Sequence, residues 1–233
     1  MPPPLRETQS SWKIRNKKND SSKLTPLRRY YLIFEGTKTE VQYFNGIVAF
    51  QRDLKIPNVI EIIPLQKEGD IKGHSTPPQL LDLASNYRIE KENAKKYNHG
   101  IDQIIIILDL DFFETEESYL YYLKQVEDCE HRLVITNPCF EVWLLLHYLE
   151  ARESFFQENF KVVKDKTLDL KSEFSIRSGM NSNNVKFVKM KDHIDYAIKQ
   201  EEFLNQDNKI AFGKFSSNVG CLITTMRENL IRS

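Results

Sequence analysis

The chain has 233 residues, 40% hydrophobic and 11% aromatic, enough for a packed core, which excludes a wholly disordered polypeptide. Its length allows one large domain or one domain with an appendage. Lys and Arg total 33, as do Asp and Glu, but residues 1–29 hold eight basic and two acidic residues, 30–150 hold eleven and twenty, and 151–233 hold fourteen and eleven.

Residues 1–27 are polar, basic and proline-bearing and read as a flexible arm. From Tyr30 the texture changes. Tyr30-Tyr31-Leu32-Ile33-Phe34 is a short apolar run that ends at Glu35-Gly36 and leads into a helix-like stretch from Thr37 to about Phe50. Short apolar runs bounded by turn residues suit strands buried on both faces. Val59 to Pro64 is a second such run, and Pro77 to Tyr97 carries leucines at helical spacing. Ile104 to Leu108 is the strongest strand signal and stops at Asp109. Glu114 to Val126 reads as a helix and Arg132 to Thr136 as a fourth strand. Asn137-Pro138 then opens an apolar helix, with Asn137 as N-cap and Pro138 in its first turn.

Alternating strands and helices predict an α/β fold, a parallel sheet flanked by helices, over residues 28–150. Residues 151–233 read as a mainly helical C-terminal extension. Within it 172–185, rich in Ser, Asn and Gly, reads as a loop, and Asp192 to Leu204 and Val219 to Leu230 as helices.

Other patterns narrow the class. No apolar run approaches the ~18–20 residues that span a bilayer. The N-terminal stretch lacks the apolar centre of a secretory signal. Cys129, Cys139 and Cys221 form no CxxC pair, which points away from a disulfide framework or zinc cage and toward a reducing cytoplasm. Neither GxGxxG nor GxxxxGK[ST] is present.

In a parallel sheet, function sits at the C-terminal edge of the strands. Here that edge carries Glu35, Asp109, Asp111 and Asn137. Carboxylates at i and i+2 on an extended segment point the same way and can share one hard cation such as Mg²⁺. Nothing basic adjoins Asp109 and Asp111 in sequence, so a metal or protonation would have to relieve their repulsion. Plain helix-start carboxylates would look the same. Glu141, in the first turn of the apolar helix, carries both readings.

The segments that bear these residues resemble one family. Leu32 to Phe44 (LIFEGTKTEVQYF), the DxD at the end of Ile104 to Phe113, Asn137 to Tyr148 (NPCFEVWLLLHY) and Ser216-Ser217-Asn218-Val219 are similar, in order and spacing, to RloB-like proteins. The resemblance implies a Toprim-like, Rossmannoid sheet with a Mg²⁺-dependent (or Mn²⁺-dependent) centre for phosphodiester chemistry on DNA or RNA, placed at Glu35, Asp109 and Asp111. It also implies a role in bacterial anti-phage defence beside an ABC/AAA-type, RloA-like ATPase, and it leaves a homo-oligomer open. Leu110 stands where the family often has a polar or basic residue.

Supporting roles are open to Gly36, for close backbone approach to phosphate or simply to ease a turn, to Thr37 or Thr39, as helix cap and anion donor, to Glu40, as a carboxylate behind the site or a surface residue of its helix, and to Asn137 and Glu141. The arm's Arg6, Lys13, Arg15, Lys17, Lys18, Lys23, Arg28 and Arg29 could meet phosphates or merely solubilise. His147 and Trp143 read as core, and His74 as a loop residue near the edge. Three functions stay open at this point: a metal-dependent nuclease, a non-catalytic Toprim-like module that binds the ATPase or nucleic acid, and a primase-like nucleotidyltransferase, which no zinc motif supports.

Overall fold

Four apolar runs pair side by side because each is buried on both faces. β1 (Arg6–Glu7), β2 (Arg28–Phe34), β3 (Ile60–Gln66), β4 (Gln103–Asp109), β5 (Arg132–Asn137) and β6 (Ser216–Ser217) form one sheet in the order β1-β3-β2-β4-β5-β6. The computed structural model describes residues 5–7, 26–150, 156 and 169–228. β2 to β5 are mutually parallel, and the two-residue strands β1 and β6 close the edges antiparallel. The sheet is therefore mixed rather than purely parallel. The long edges of β3 and β5 are each capped by a short strand that shields their backbone groups from other chains.

Alternation along each strand feeds two cores. Tyr30, Leu32, Phe34, Ile105 and Ile107 face one, while Tyr31, Ile33, Ile104, Ile106 and Leu108 face the other. This explains why Ile104 to Leu108 shows no polar alternation: neither face meets water. Each of these isoleucines is at most 1% exposed, and truncating one to alanine costs about 2–5 kcal/mol.

The helices divide between the faces. α1 (Thr39–Ala49) lies on the first face. α2 (Pro77–Asn93) and α3 (Glu116–Asp128) cover the second, through Leu80, Ala84, Tyr119 and Val126. α4 (Glu141–Leu145) joins the first, with α5 (Leu170–Ser178), α6 (Ile194–Glu201) and α7 (Val219–Glu228). Phe174, Phe187, Ile194 and Leu222 from these C-terminal elements share one core with Tyr30 and Leu32. A Cβ at Gly46 of α1 would collide with Phe187, so glycine there lets the extension seat against the helix.

Several expectations need correcting. Residues 172–185 are not one loop: α5 occupies Leu170–Ser178. The Asp169 side chain caps its start by accepting from the Lys171 N–H at 2.9 Å, Leu170 and Phe174 are buried one turn apart, and Gly179 ends it with φ 66°. Polar composition masked a helix anchored by two apolar residues. Asn137 is not an N-cap, because it ends β5 and α4 starts four residues later, after Phe140. Thr39 does not cap α1 either: Lys38 holds that position without a side-chain bond, and the Thr39 hydroxyl donates to the Ser182 carbonyl at 3.0 Å.

The stretch read as a basic arm is partly structural. Arg6 lies in β1 and pairs with Glu68 at 2.9 Å. Arg29, in β2, pairs with Asp102 and Glu61, each at 3.3 Å. Lys13, Arg15, Lys17, Lys18 and Lys23 lie outside the described residues.

Candidate active site

Parallel register brings the ends of β2, β4 and β5 to one edge. Ile33 pairs with Ile106 and Phe34 with Ile107, while Asp109 lies opposite Thr136. The chain then leaves β2 through Glu35, whose N–H donates to the Ile107 carbonyl at 3.0 Å. This register carries the Glu35 carboxylate across to β4, where its Oε2 accepts the Asp109 backbone N–H at 2.9 Å. Asp109 in turn accepts the Thr136 hydroxyl at Oδ1, at 2.5 Å. Asp111 sits in the single turn Leu110–Phe112, exposed, and its N–H donates to the Pro138 carbonyl at 3.2 Å. The Asn137-Pro138 bond is cis. The sheet edge thus juxtaposes the first glutamate, the DxD and the NP segment.

Glu40 belongs here too. It is buried in the first turn of α1, and a Cβ on Gly36 would strike its carboxylate. Glycine at 36 therefore makes room for Glu40, a nearer reason than approach of a phosphate. Glu141 is buried at the start of α4 and acts electrostatically on Glu40. Asn137 is buried with both amide N–H groups engaged, donating to the Ala211 carbonyl at 2.8 Å and the Lys214 carbonyl at 2.9 Å. Its side chain anchors the C-terminal loop.

Burial and like charge govern the electrostatics. Burial pushes the Glu35 carboxyl up to about 7, aided by Asp111 and Glu40 and opposed by the Asp109 N–H. Asp109 is held well above the carboxylate range by burial, then by Glu40 and Glu35, against the Thr136 hydroxyl. Burial also raises Glu40, with Glu141 adding to it. A cluster this short of compensation calls for a cation.

One cation is built in, and sequence reasoning missed it. Lys67, one residue past β3, is 5% exposed. Its Nζ donates to the Glu35 carbonyl at 2.6 Å and to the His74 carbonyl at 2.7 Å. Burial lowers its pKa to about 8, and Glu35 and Glu40 oppose that shift. Only the distance between β2 and β3 at the sheet edge could have exposed this role, and a lone lysine after a strand carries no sequence signal. His74 meets the site through its backbone carbonyl. Cys139 is also close: burial, then Glu141 and Asp109, push its thiol far up and keep it neutral.

His147 is a core residue, as its helix position implied. It is 1% exposed. Nδ1 lies 3.1 Å from the Trp143 carbonyl, which can only accept, so Nδ1 carries the proton and Nε2 accepts the Tyr43 hydroxyl at 3.2 Å. A cavity of about 350 Å³ lined by Arg28, Tyr97, Asp102 and Gln103 lies at the opposite, N-terminal end of the strands, away from the carboxylates.

The donors are hard carboxylate oxygens, which suit Mg²⁺ or Mn²⁺. The Glu35 and Asp109 hydrogen bonds engage Oε2 and Oδ1 respectively, which leaves Oε1 and Oδ2 to a ligand. Among the described residues, however, no group of three or more His, Cys, Asp or Glu side chains is arranged as a ready metal cage.

Comparison with known proteins agrees with the motifs: the family described as RloB-like protein matches residues 30–226. The chain belongs to this family. As an RloB-like protein it carries the EG, DxD and NP segments at the ends of adjacent parallel strands, along one edge of the sheet. Neither curated proteins nor solved structures gave a match. In the described part of this RloB-like chain, no helix is long and apolar enough to cross a membrane.

Proposed function

We propose that this RloB-like protein is a metal-dependent nuclease that hydrolyses phosphodiester bonds in DNA or RNA, as an effector of bacterial anti-phage defence under an ABC/AAA-type, RloA-like ATPase. The observation that carries the enzymatic reading is the hydrogen bond from the Asp109 backbone N–H to the Glu35 carboxylate at the strand ends, with both carboxyls raised first by burial and then by neighbouring carboxylates. The defence role and the ATPase partner rest on the family resemblance.

In this reading Asp109, Asp111 and Glu35 hold Mg²⁺ or Mn²⁺, which when bound stabilises charge developing on the phosphate and leaving oxygen. Glu35, raised to about 7, is suited to proton transfer near neutral pH. With Oε2 engaged by the Asp109 N–H, Oε1 serves one of two roles, a metal ligand or the acceptor of the proton from the attacking water. Thr136 fixes the Asp109 carboxylate by its hydroxyl. Lys171, exposed at the start of α5 and within electrostatic reach of Glu40, offers positive charge to a phosphate backbone.

A second reading has its own support. The lack of a preformed three-ligand group among the described residues suits a Toprim-like module that binds nucleic acid or the ATPase without cutting. Incubation of wild type and Asp109→Ala with labelled DNA and RNA in Mg²⁺ or Mn²⁺, with and without the ATPase, separates the two. Cutting by wild type alone supports the nuclease. Retained ATPase or nucleic-acid binding with no cutting under any condition supports the module.

A further inference from the structure

We propose that Lys38 and Lys214, exposed on either side of the carboxylate edge, are the phosphate contacts that lay a nucleic-acid backbone across the strand ends from β2 to β5. The inference rests on the nucleic-acid reading above and names the substrate contacts of that same edge.

An edge that presents Glu35, Asp109 and Asp111 repels a phosphate backbone, so a substrate there needs cations beside it. Lys67 is buried with its Nζ on two carbonyls, which leaves that task to exposed lysines. In the order β2-β4-β5, Asp109 ends the middle strand.

Lys38 lies on the β2 side. Gly36 and Thr37 separate it from Glu35, and it stands at the N-cap of α1 with a side chain that makes no capping bond. Lys214 lies on the β5 side. There β6 pairs Ser216 with Asn137. Just before it, the Lys214 carbonyl accepts from Asn137 Nδ2 at 2.9 Å and from the Ser216 hydroxyl at 3.2 Å. Gly213, with φ 77°, makes the turn that precedes Lys214. Pro138, next to Asn137, accepts the Asp111 N–H at 3.2 Å. Hydrogen bonds and one peptide link therefore fix the Lys214 backbone to the DxD turn. Both lysines are exposed, and neither ammonium has an ion pair or hydrogen bond among the described residues. Phosphate contacts position a substrate and carry no sequence information.

The test is fluorescence anisotropy of labelled DNA and RNA oligonucleotides, of mixed and homopolymer sequence, with the full chain. Titrations run over a salt series in chelator and again in Mg²⁺. Lys38→Gln and Lys214→Gln are each expected to weaken binding about five-fold or more, alike for every sequence, and to lower the slope of log affinity against log salt by roughly 0.7–0.9. Lys38→Arg and Lys214→Arg, which keep the charge, are expected to bind like wild type. Lys96→Gln removes an exposed lysine between α2 and β4, at the opposite end of the strands, and is expected to change nothing. Melting curves of all variants check folding. Wild-type affinity in a folded Lys38→Gln or Lys214→Gln would overturn the proposal and leave the nucleic-acid reading intact. So would an equal loss in Lys96→Gln, which would mark a general effect of surface charge. No binding of DNA or RNA by wild type in either buffer, alone or with the ATPase, would overturn both.

Discussion

Glu35 Oε2 accepts the backbone N–H of Asp109 at 2.9 Å, which joins the end of β2 to the end of β4. The bond fixes the separation of two carboxyls that repel each other, and burial raises both. Neutralising either should stabilise the metal-free protein. Asp109→Asn, which retains an oxygen for Thr136, is expected to raise the melting temperature by a few degrees at pH 8 without divalent ions. Calorimetry of the apo proteins checks this, and an unchanged or lower melting temperature would mean the cluster is not strained by charge.

The same repulsion gives a pH dependence. In the folded chain burial holds the Glu35 carboxyl at about 7, above its ordinary value of 4.5. The folded chain therefore binds the proton first as pH falls. The stabilisation is full below about 4.5 and is lost as pH rises through about 7. Apo wild type should lose stability between those values, and Glu35→Gln should lose less. Parallel denaturation curves of the two proteins across that window decide it.

Thr136→Val removes the hydroxyl that donates to Asp109 while keeping the β-branched shape in β5. The buried Asp109 carboxyl then loses a partner, at a cost of about 1–3 kcal/mol to its charged form. Mn²⁺ affinity should fall about ten-fold or more with the fold retained. Calorimetric titration measures it, and equal affinity would remove Thr136 from the site.

His131 lies on the opposite trend. Burial lowers its pKa to about 4, and its Nδ1 is buried without a partner. The unfolded imidazole titrates near ~6.5, so the unfolded chain takes the proton first. The contribution is complete above about 6.5 and is lost as pH falls toward 4. His131→Phe should be neutral or stabilising at pH 7 and should flatten the acid limb of the stability curve. A variant with an unaltered acid limb would contradict this.

The C-terminal helix depends on one buried acid. Glu201 is 1% exposed and accepts from the Ser217 hydroxyl and from the Gly220 and Cys221 N–H groups, the latter two at 2.9 Å. Its carboxylate caps α7. A Cβ on Gly220 would lie 2.6 Å from Glu201 Oε2, so the cap also requires that glycine. Glu201→Ala is expected to cost about 3 kcal/mol or more, since three donors lose their acceptor together. Urea denaturation measures it, and a loss under about 1 kcal/mol would contradict the capping role.

The central strands were legible because an apolar run bounded by turns has few alternatives, and Ile104 to Leu108 ends where the run does. That Glu35 and Asp109 neighbour each other was legible because strand ends in a parallel sheet share an edge, whereas Asp111 lies in the turn Leu110–Phe112 and not on the extended segment expected of the pair. β1 and β6 were not: two residues leave no periodic signal, and each forms only because a neighbouring strand offers an open edge. α5 was hidden by its polar face. Lys67 and Thr136 were hidden for a different reason, since their roles depend on what the adjacent strand places beside them. The closeness of Gly36 to Glu40 was not legible either, because only the folded α1 puts Glu40 against it.

The most direct test of the proposed function is cleavage of labelled DNA and RNA in Mg²⁺ or Mn²⁺ by wild type, Glu35→Gln and Asp109→Asn, each with and without the ATPase partner. The site described here predicts metal-dependent cutting by wild type and a loss of about a hundred-fold or more in both folded variants. Equal cutting by Asp109→Asn, or wild-type cutting that persists in a chelator, would contradict it.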